Sequence, residues 1–200
     1  MTIQINYTNG GFKNPLTNLV LFTDEKFNIN DLKKYISNSE FSYLSDLLKT
    51  SDLKKKLLVF KISSKKKIIL ICIKKSLEIS DVENLGADFY SYINYGNKAE
   101  FVINSNSVKS KIEDFIGYFL HGLKLKSYEF NIYKSKIEKK IFLINVIGNR
   151  KKVTIKNELR FKAIERGTFF ARDLVSEPPN VLNPKEYTNR LLKLRKLGIK

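Results

Sequence analysis

The chain has 200 residues, 42% of them hydrophobic, and a formal net charge of +17 from 37 basic and 20 acidic side chains. That size suits one domain, or one domain with a piece of another, and the apolar content is enough for a buried core. No apolar run approaches about 18 residues, and the N-terminus lacks a basic region followed by an apolar block, so neither a membrane span nor a signal peptide is expected.

The first third of the chain carries strand and helix patterns. Residues 30–51 hold two sets of apolar residues at helical spacing, with a break near Ser37–Ser39. The single cysteine, Cys72, lies in an apolar, β-branched run and is expected to be a small buried hydrophobe in a cytoplasmic protein. Strands are predicted at 2–7, within 14–25 and, as a hairpin joined by a short turn, at 56–64 and 66–75.

The middle of the chain continues the alternation. Ser80 and Glu83 have the spacing of a capping box, which predicts a helix that begins there and stops near Gly96. Further along, the patterns predict a strand at 99–105, a helix at 107–125 and two strands at 127–135 and 139–148, of which the last is apolar enough to be central. Residues 1–150 are therefore expected to form an α/β domain, a mixed sheet flanked by helices.

Two linking helices are predicted after this domain. The first runs from Asn157 to Ser176–Glu177, where Pro178 and Pro179 end it. The second starts at Asn183, which can cap it, followed by Pro184 in the first turn and Glu186 at the capping-box position. Gly198 is expected to end it, before a strand at 199–200. The predicted apolar faces are Ile164, Gly167, Ala171, Leu174 and Val175 in the first helix, and Tyr187, Leu191 and Leu194 in the second.

No active site is evident from residue types and spacing. The only histidine, His121, flanks an apolar helix face and is interpreted as a packed or surface side chain, because no second His or Cys stands at ligand spacing. Acidic residues are scattered, and Glu113 and Asp114 are interpreted as the wet side of a helix. We therefore assign no catalytic, cofactor-binding or metal-ligating residue in this sequence.

Nucleophilic and phosphate-binding motifs are also absent: no Walker A, GxGxxG or GxSxG string occurs. The Asn-Gly-Gly at 9–11 fits a phosphate-cradling turn, but a plain loop is the simpler reading. The aromatic residues of 128–136 alternate with lysines, and in a strand they would fill a core rather than stack on bases. The basic residues, in short runs such as Arg150–Lys152, are interpreted chiefly as solvated surface, with a functional basic face as the alternative.

Two segments resemble a known family. Residues 167–187, GTFFARDLVSEPPNVLNPKEY, are similar to the segment that joins the two domains of the cytosol (leucyl) aminopeptidases, typically A-R-D-L-V-N-E-P-P-N-V-L-T-P-E-E. This chain departs from it at Ser176, Asn183 and Lys185. Residues 119–136, FLHGLKLKSYEFNIYKSK, resemble the family's helix-to-strand passage.

The resemblance implies a macrodomain-like N-terminal domain at 1–150, then an interdomain helix and the start of a truncated catalytic domain at 151–200. It implies a cytoplasmic, metal-dependent aminopeptidase, hexameric in the family, that removes N-terminal residues from peptides with two divalent metals, Mn or Zn. The family's metal-ligand motifs are not matched in this sequence. The chain alone is thus expected to be inactive and to serve assembly or active-site access.

Two other interpretations stay open at this stage. One is a standalone macrodomain-like module that binds a phosphorylated ligand or nucleic acid, for which the net charge is the argument. The other is a non-functional fragment, in which the apolar face of residues 157–197 would have no partner and would be sticky.

Overall fold

The computed structural model describes residues 2–8, 16–94, 99–135, 141–149 and 153–198. Within them lies one mixed six-stranded sheet in the order β1-β6-β5-β2-β4-β3. The strands are Thr2–Tyr7 (β1), Asn18–Thr23 (β2), Leu57–Lys61 (β3), Lys67–Cys72 (β4), Ala99–Asn104 (β5) and Ile141–Ile147 (β6).

The strand pairing confirms most of the sheet expected from the sequence. β3 and β4 form the predicted antiparallel hairpin, and every other neighbouring pair is parallel. β6 lies between β1 and β5, as its apolar sequence predicted, because a strand with neighbours on both sides and helices over it must be buried. Parallel neighbours need crossover connections, which the helices supply.

The described residues form five α-helices: Asn38–Thr50 (α1), Ile79–Asn94 (α2), Phe115–Lys126 (α3), Ile155–Ser176 (α4) and Pro184–Leu192 (α5). A core on one face of the sheet joins Phe22 of β2 to Phe89 of α2, Phe119 of α3 and Phe161 of α4. A second core, around Leu44 of α1, covers the opposite face. The molecule is therefore a sheet between two helical layers, as predicted.

The N-termini of α1 and α2 differ in how well the sequence marked them. Ser37 lies at the predicted break and caps α1 through a reciprocal capping box with Glu40. The capping box predicted at Ser80 was wrong, because α2 already begins at Ile79 and Ser80 lies within its first turn. The carboxylate of Asp81 accepts the backbone N–H of Glu78 instead, at 3.0 Å.

Two further predictions in the second half need correction. The helix predicted over 107–125 begins only at Phe115, because Asp114 before it has a left-handed backbone with φ of 54° that no helix can continue. The strand predicted at 127–135 does not form. The ring of Tyr128 in this segment packs on the ring of Phe169 in α4, with centroids 5.3 Å apart, rather than in the core beneath a sheet.

The predicted C-terminal end of α4 was correct, but its predicted buried face was wrong. The helix ends at Ser176, before the prolines, but Phe161 is its buried residue, whereas Val175 is 86% exposed. α5 begins as predicted: Asn183 Oδ1 accepts the backbone N–H of Glu186 at 3.0 Å. Gly198, with φ of 80°, ends the 3₁₀ turn Lys193–Leu197 that follows.

Several predicted features lie outside the described residues: the Asn-Gly-Gly turn at 9–11, the stop at Gly96, the basic run Arg150–Lys152 and the strand at 199–200. No helix in the described ranges combines the length and apolar character needed to cross a membrane.

Candidate functional site: a cavity beneath helix α4

A cavity of about 550 Å³ lies between edge strand β1 and helices α3 and α4. Its volume is within the range of small-molecule sites, about 300–1,000 Å³. Alternate residues of β1 point into it, because side chains two apart in a strand share one face. The described residues that line it are Ile3, Ile5, Tyr7, Gly117, Leu120, His121, Lys124, Val153, Glu158, Phe161, Lys162 and Glu165.

His121 is the most deeply buried polar side chain of this cavity, 2% exposed. Its Nδ1 lies 2.8 Å from Oε1 of Glu83 on α2. Its ring stacks on Phe161 of α4, with centroids 4.7 Å apart. Its Nε2 is buried and has no hydrogen-bond partner in the described part of the chain. Of the two predicted alternatives, a packed or a surface histidine, the packed one is therefore correct. Glu83 contacts one ring nitrogen and Phe161 stacks on one face of the ring.

Charged side chains at the cavity form two ion pairs. Nζ of Lys124 lies 3.6 Å from Oε2 of Glu165, and Nζ of Lys162 lies 2.6 Å from Oε1 of Glu158. Burial, and then the charge of Glu158, raises the pKa of Tyr7. The charges of these two lysines and two glutamates cancel, so the polar margin of the cavity has no net charge. The rest of the lining is mainly apolar.

Helix α4 closes the cavity because Gly117 leaves room for it. A Cβ on Gly117 would lie 2.9 Å from a ring carbon of Phe161 and 3.0 Å from Val153. Asp114, one turn away, fixes the start of α4: its carboxylate accepts the hydroxyl of Thr154 at 2.8 Å and the side-chain amide of Asn157 at 2.7 Å. The reading of Asp114 as the wet side of a helix was therefore wrong.

The electrostatics of Asp114 match this role. Partial burial raises the pKa of its carboxyl, but the hydrogen bonds from Asn157 and Thr154 outweigh that effect, and the net pKa is below the ordinary value. The ionised carboxylate is thus the form that holds α3 and α4 together.

The carboxyl ends of β2 and β5 form the edge of the sheet at which open α/β folds commonly bind ligands. A polar 3₁₀ turn, Ser105–Ser107, follows β5 at this edge of the sheet. Ser107 Oγ accepts the backbone N–H of Phe22 at 3.0 Å and donates to the carbonyl of Asn104 at 2.6 Å. Asn106 Oδ1 accepts the backbone N–H of Asn149 at 2.7 Å. The backbone N–H groups of Phe22 and Asn149 are therefore already hydrogen-bonded within the chain.

The resemblance segment around the two prolines forms a separate polar cluster. The carboxylate of Glu177, 3% exposed, accepts hydrogen bonds from the Tyr133 hydroxyl and from Nη1 of Arg190, the latter at 3.0 Å. Tyr128 donates its hydroxyl to Asp173 at 2.8 Å. The aromatic residues predicted to fill a strand core instead fasten 127–135 to the end of α4.

Among the described residues, no group of three or more His, Cys, Asp or Glu side chains is close enough to hold a metal ion. Cys72 is half-buried against the second core, and burial raises the pKa of its thiol. No sequence pattern indicates the cavity, because Glu83 and His121 lie on different helices and no spacing rule relates them.

Comparison with known proteins gives the same family as the sequence motifs. No family model matches. Curated relatives named "Probable cytosol aminopeptidase" are 36% identical over 88 residues in Afipia carboxidovorans and 27% identical over 134 residues in Nitrobacter winogradskyi. These matches cover 40% and 62% of this chain but only 17% and 26% of the relatives, so the chain spans a minor part of their length.

Solved structures with the same fold cover nearly all of the chain. A tomato leucine aminopeptidase mutant superposes with a TM-score of 0.67 at 15% identity, over 98% of this chain and 42% of its own. The bottromycin maturation enzyme BotP, solved in complex with Mn, gives a TM-score of 0.60 at 10% identity, over 91% of this chain and 36% of its own. The chain therefore resembles the leucyl aminopeptidase family, as an N-terminal portion of such a protein.

Proposed function

We propose that this chain is the N-terminal scaffold of a metal-dependent aminopeptidase, a hydrolase that removes N-terminal amino acids from peptides. The observation that carries the proposal is the sequence match to relatives named cytosol aminopeptidase, each of which extends well beyond the matched part. The fold match to a leucine aminopeptidase over 98% of the chain supports it.

The role of this portion is assembly and active-site access, not chemistry. The two divalent metals, Mn or Zn, that the family resemblance implies would be bound by the part of the protein that corresponds to the uncovered length of the relatives. Residues 1–150 would be the scaffold domain, and 151–200 would lead into the catalytic domain. The protein would be cytoplasmic, as the name of the relatives suggests, and a homo-oligomer, as the family resemblance implies.

A chimera tests the proposal. Residues 1–200 would replace the equivalent portion of the Agrobacterium fabrum cytosol aminopeptidase, a relative that is 38% identical over 88 residues. We expect the chimera to assemble and to hydrolyse leucine p-nitroanilide in a chelator-sensitive way, while the 200-residue chain alone does not. A soluble, assembled but inactive chimera, or chelator-sensitive hydrolysis by the chain alone, would contradict it.

The second candidate is a binding module for nucleic acid or a phosphorylated ligand, favoured by the net charge of +17. Binding that uses phosphate contacts weakens steeply with salt. Titration of the chain with duplex DNA and with ADP-ribose at increasing salt separates the two candidates. The scaffold proposal expects no saturable binding at physiological salt, because it assigns the basic residues to the solvated surface.

A further inference from the structure

Strand β1 forms one edge of the sheet, and its outer side has no neighbouring strand among the described residues. On its inner side, the backbone N–H of Thr8 donates to the carbonyl of Val146 at 3.0 Å. Successive residues of an extended strand direct their N–H and C=O groups to opposite sides, so every second residue before Thr8 also faces β6. Ile3, Ile5 and Tyr7 therefore direct their N–H and C=O groups to the open edge.

The side chains of the same three residues line the cavity beneath α4. Ile3 and Ile5 are half-buried and Tyr7 is 50% exposed, so solvent reaches this edge. An additional strand beside β1 would continue the sheet, and its alternate side chains would lie on the face that holds the cavity. The open edge and the cavity thus form one continuous groove, which we call the β1 groove.

Strand β1 also lacks the charges that protect most exposed edges. Native sheets commonly block an edge with lysine, proline or a bulge. The other edge strand, β3, ends in Lys61 and follows the lysine run Lys54–Lys56. The sequence of β1, TIQINY, contains neither a charged residue nor a proline. An uncharged edge beside a mainly apolar cavity is suited to pairing with another extended segment.

Charge limits which segment can occupy the β1 groove. The net charge of +17 opposes the approach of a second copy of this chain and favours a partner with acidic residues. The two lysines at the cavity margin are already paired with glutamates, so a side chain that enters the cavity should be uncharged.

The direction of the segment follows from the sheet geometry. In antiparallel pairing, directly opposed residues lie on the same face, so side chains opposite Ile3 and Ile5 would point towards the cavity. At its other edge, this otherwise parallel sheet already ends in an antiparallel strand, β3, an arrangement that is common in mixed sheets.

We propose that β1 binds an extended peptide segment of another protein as an additional, antiparallel strand. The segment carries aliphatic residues at alternate positions, which enter the cavity, and acidic residues at its ends. This binding goes beyond the proposed scaffold function and does not involve peptide hydrolysis. Its test needs no enzymatic activity, so failure of the proposed function would leave it unaffected.

Three peptides test the pairing. The parent is acetyl-Asp-Thr-Ile-Thr-Ile-Thr-Glu-amide, whose isoleucine N–H groups would donate to β1 while its threonine N–H groups point away. One variant is N-methylated at the second isoleucine, and its matched control is N-methylated at the threonine between the isoleucines. By calorimetry, we expect the purified chain to bind the parent saturably, the first variant at least about tenfold more weakly, and the control within about threefold of the parent. No saturable binding of the parent, or equal weakening by both methyl groups, would overturn the proposal.

Amide hydrogen exchange locates the added strand. The N–H groups of Ile3, Ile5 and Tyr7 should exchange rapidly in the free chain and become protected when the parent peptide binds. The N–H of Thr8, which is already bonded to Val146, should change little. Protection that appears elsewhere in the chain, but not at these three positions, would refute the assignment to β1.

Proline variants provide a second test. Ile5→Pro removes the central outward N–H and the aliphatic side chain without removing a bond to β6. Val59→Pro is the matched control, because Val59 is central in the opposite edge strand and is half-buried against the same core. Its N–H also points outward, since the carbonyl of Lys56 faces β4, where it accepts the N–H of Cys72. We expect Ile5→Pro to abolish binding of the parent peptide and Val59→Pro to leave it unchanged; wild-type affinity in Ile5→Pro would contradict the proposal.

Two further outcomes are decisive. If Ile5→Pro fails to fold, as judged by circular dichroism, the three peptides and the exchange experiment on the wild-type chain still test the pairing. If sedimentation of the wild-type chain shows a dimer that Ile5→Pro dissociates, a second copy occupies the edge of β1, and the proposal is wrong.

Discussion

The carboxylate of Asp114 accepts hydrogen bonds from both the backbone N–H of Thr154, at 3.2 Å, and its hydroxyl, at 2.8 Å. Thr154 is also the N-cap of α4, and its Oγ1 accepts the N–H of Asn157 at 3.3 Å. One side chain from the start of α3 thus positions the first turn of α4. This contact decides whether α4 stays over the cavity, because Phe161 follows two turns later.

Replacing Asp114 should loosen α4. Asn keeps the shape and tolerates the left-handed backbone, but it loses the charge and one acceptor. We expect Asp114→Asn to lower the free energy of unfolding by about 1–2 kcal/mol and to speed amide exchange in 155–165. Urea denaturation and hydrogen exchange measure both effects. Glu113→Gln, the exposed neighbour, is the matched control; equal losses in the two variants would show that Asp114 has no special role.

Acid should weaken the same contact. The net pKa of Asp114 in the folded protein is below its ordinary value of about 4, so the folded state holds the ionised form more strongly than the unfolded state does. Its contribution is fully present above about pH 5 and is lost as pH falls through the lower, folded-state pKa. Urea midpoints measured from about pH 6 to 3 should therefore fall less steeply for Asp114→Asn than for the wild type. Parallel profiles would contradict the assignment.

Glycines at the α2–α3 contact should be intolerant of any side chain. A Cβ on Gly86 would lie 1.9 Å from the carbonyl O of Phe119, and a Cβ on Gly122 would lie 1.9 Å from that of Glu83. Because the obstacle is backbone, the helices must separate, and that movement displaces the Glu83–His121 pair. We expect either Gly→Ala variant to lose about 3 kcal/mol or more in urea denaturation.

The control for the glycine variants is Gly167→Ala on α4. Nothing lies within 4 Å of the Cβ position there. Alanine favours a helix over glycine, so this variant should gain about 0.5–1 kcal/mol. A Gly86→Ala protein as stable as the wild type would mean that α2 and α3 do not cross as closely as described.

The fold was accessible from the sequence where local patterns decide structure. β-Branched runs, the Ser37 break and the Pro178–Pro179 stop each act within a few residues, and the sheet and most helix ends followed from them. The strand predicted at 127–135 failed because alternation shows only that one side of a segment is apolar. The partner that covers the apolar side depends on tertiary packing, and here Phe169 of α4 packs on Tyr128.

The candidate site was not accessible, for a related reason. Its main contacts join residues far apart in the chain: 38 positions between Glu83 and His121, and 40 between Asp114 and Thr154. Spacing rules capture neighbours on one helix, and they do not apply across helices. The left-handed backbone at Asp114 could not be predicted from the sequence pattern either. Because of it, α3 begins at Phe115, eight residues after the predicted start at 107.

The contact between α4 and α5 gives the last prediction. Arg190 binds Glu177 through Nη1 and Glu186 through Nε, both at 3.0 Å. Arg190→Ala leaves the buried Glu177 carboxylate with the Tyr133 hydroxyl as its remaining partner described here, which disfavours the docked position of α5. We expect several-fold faster proteolytic cleavage within 178–183, while Lys193→Ala, an exposed neighbour, leaves the rate unchanged.

A double variant separates lost attraction from stranded charge. If the buried, unpaired carboxylate is the main problem, Glu177→Gln combined with Arg190→Ala should be cleaved more slowly than Arg190→Ala alone, since the amide carries no charge. If the two substitutions instead add, the ion pair acts only as one contact among several. Cleavage of Arg190→Ala at the wild-type rate would show that α5 is held by its apolar contacts rather than by this pair.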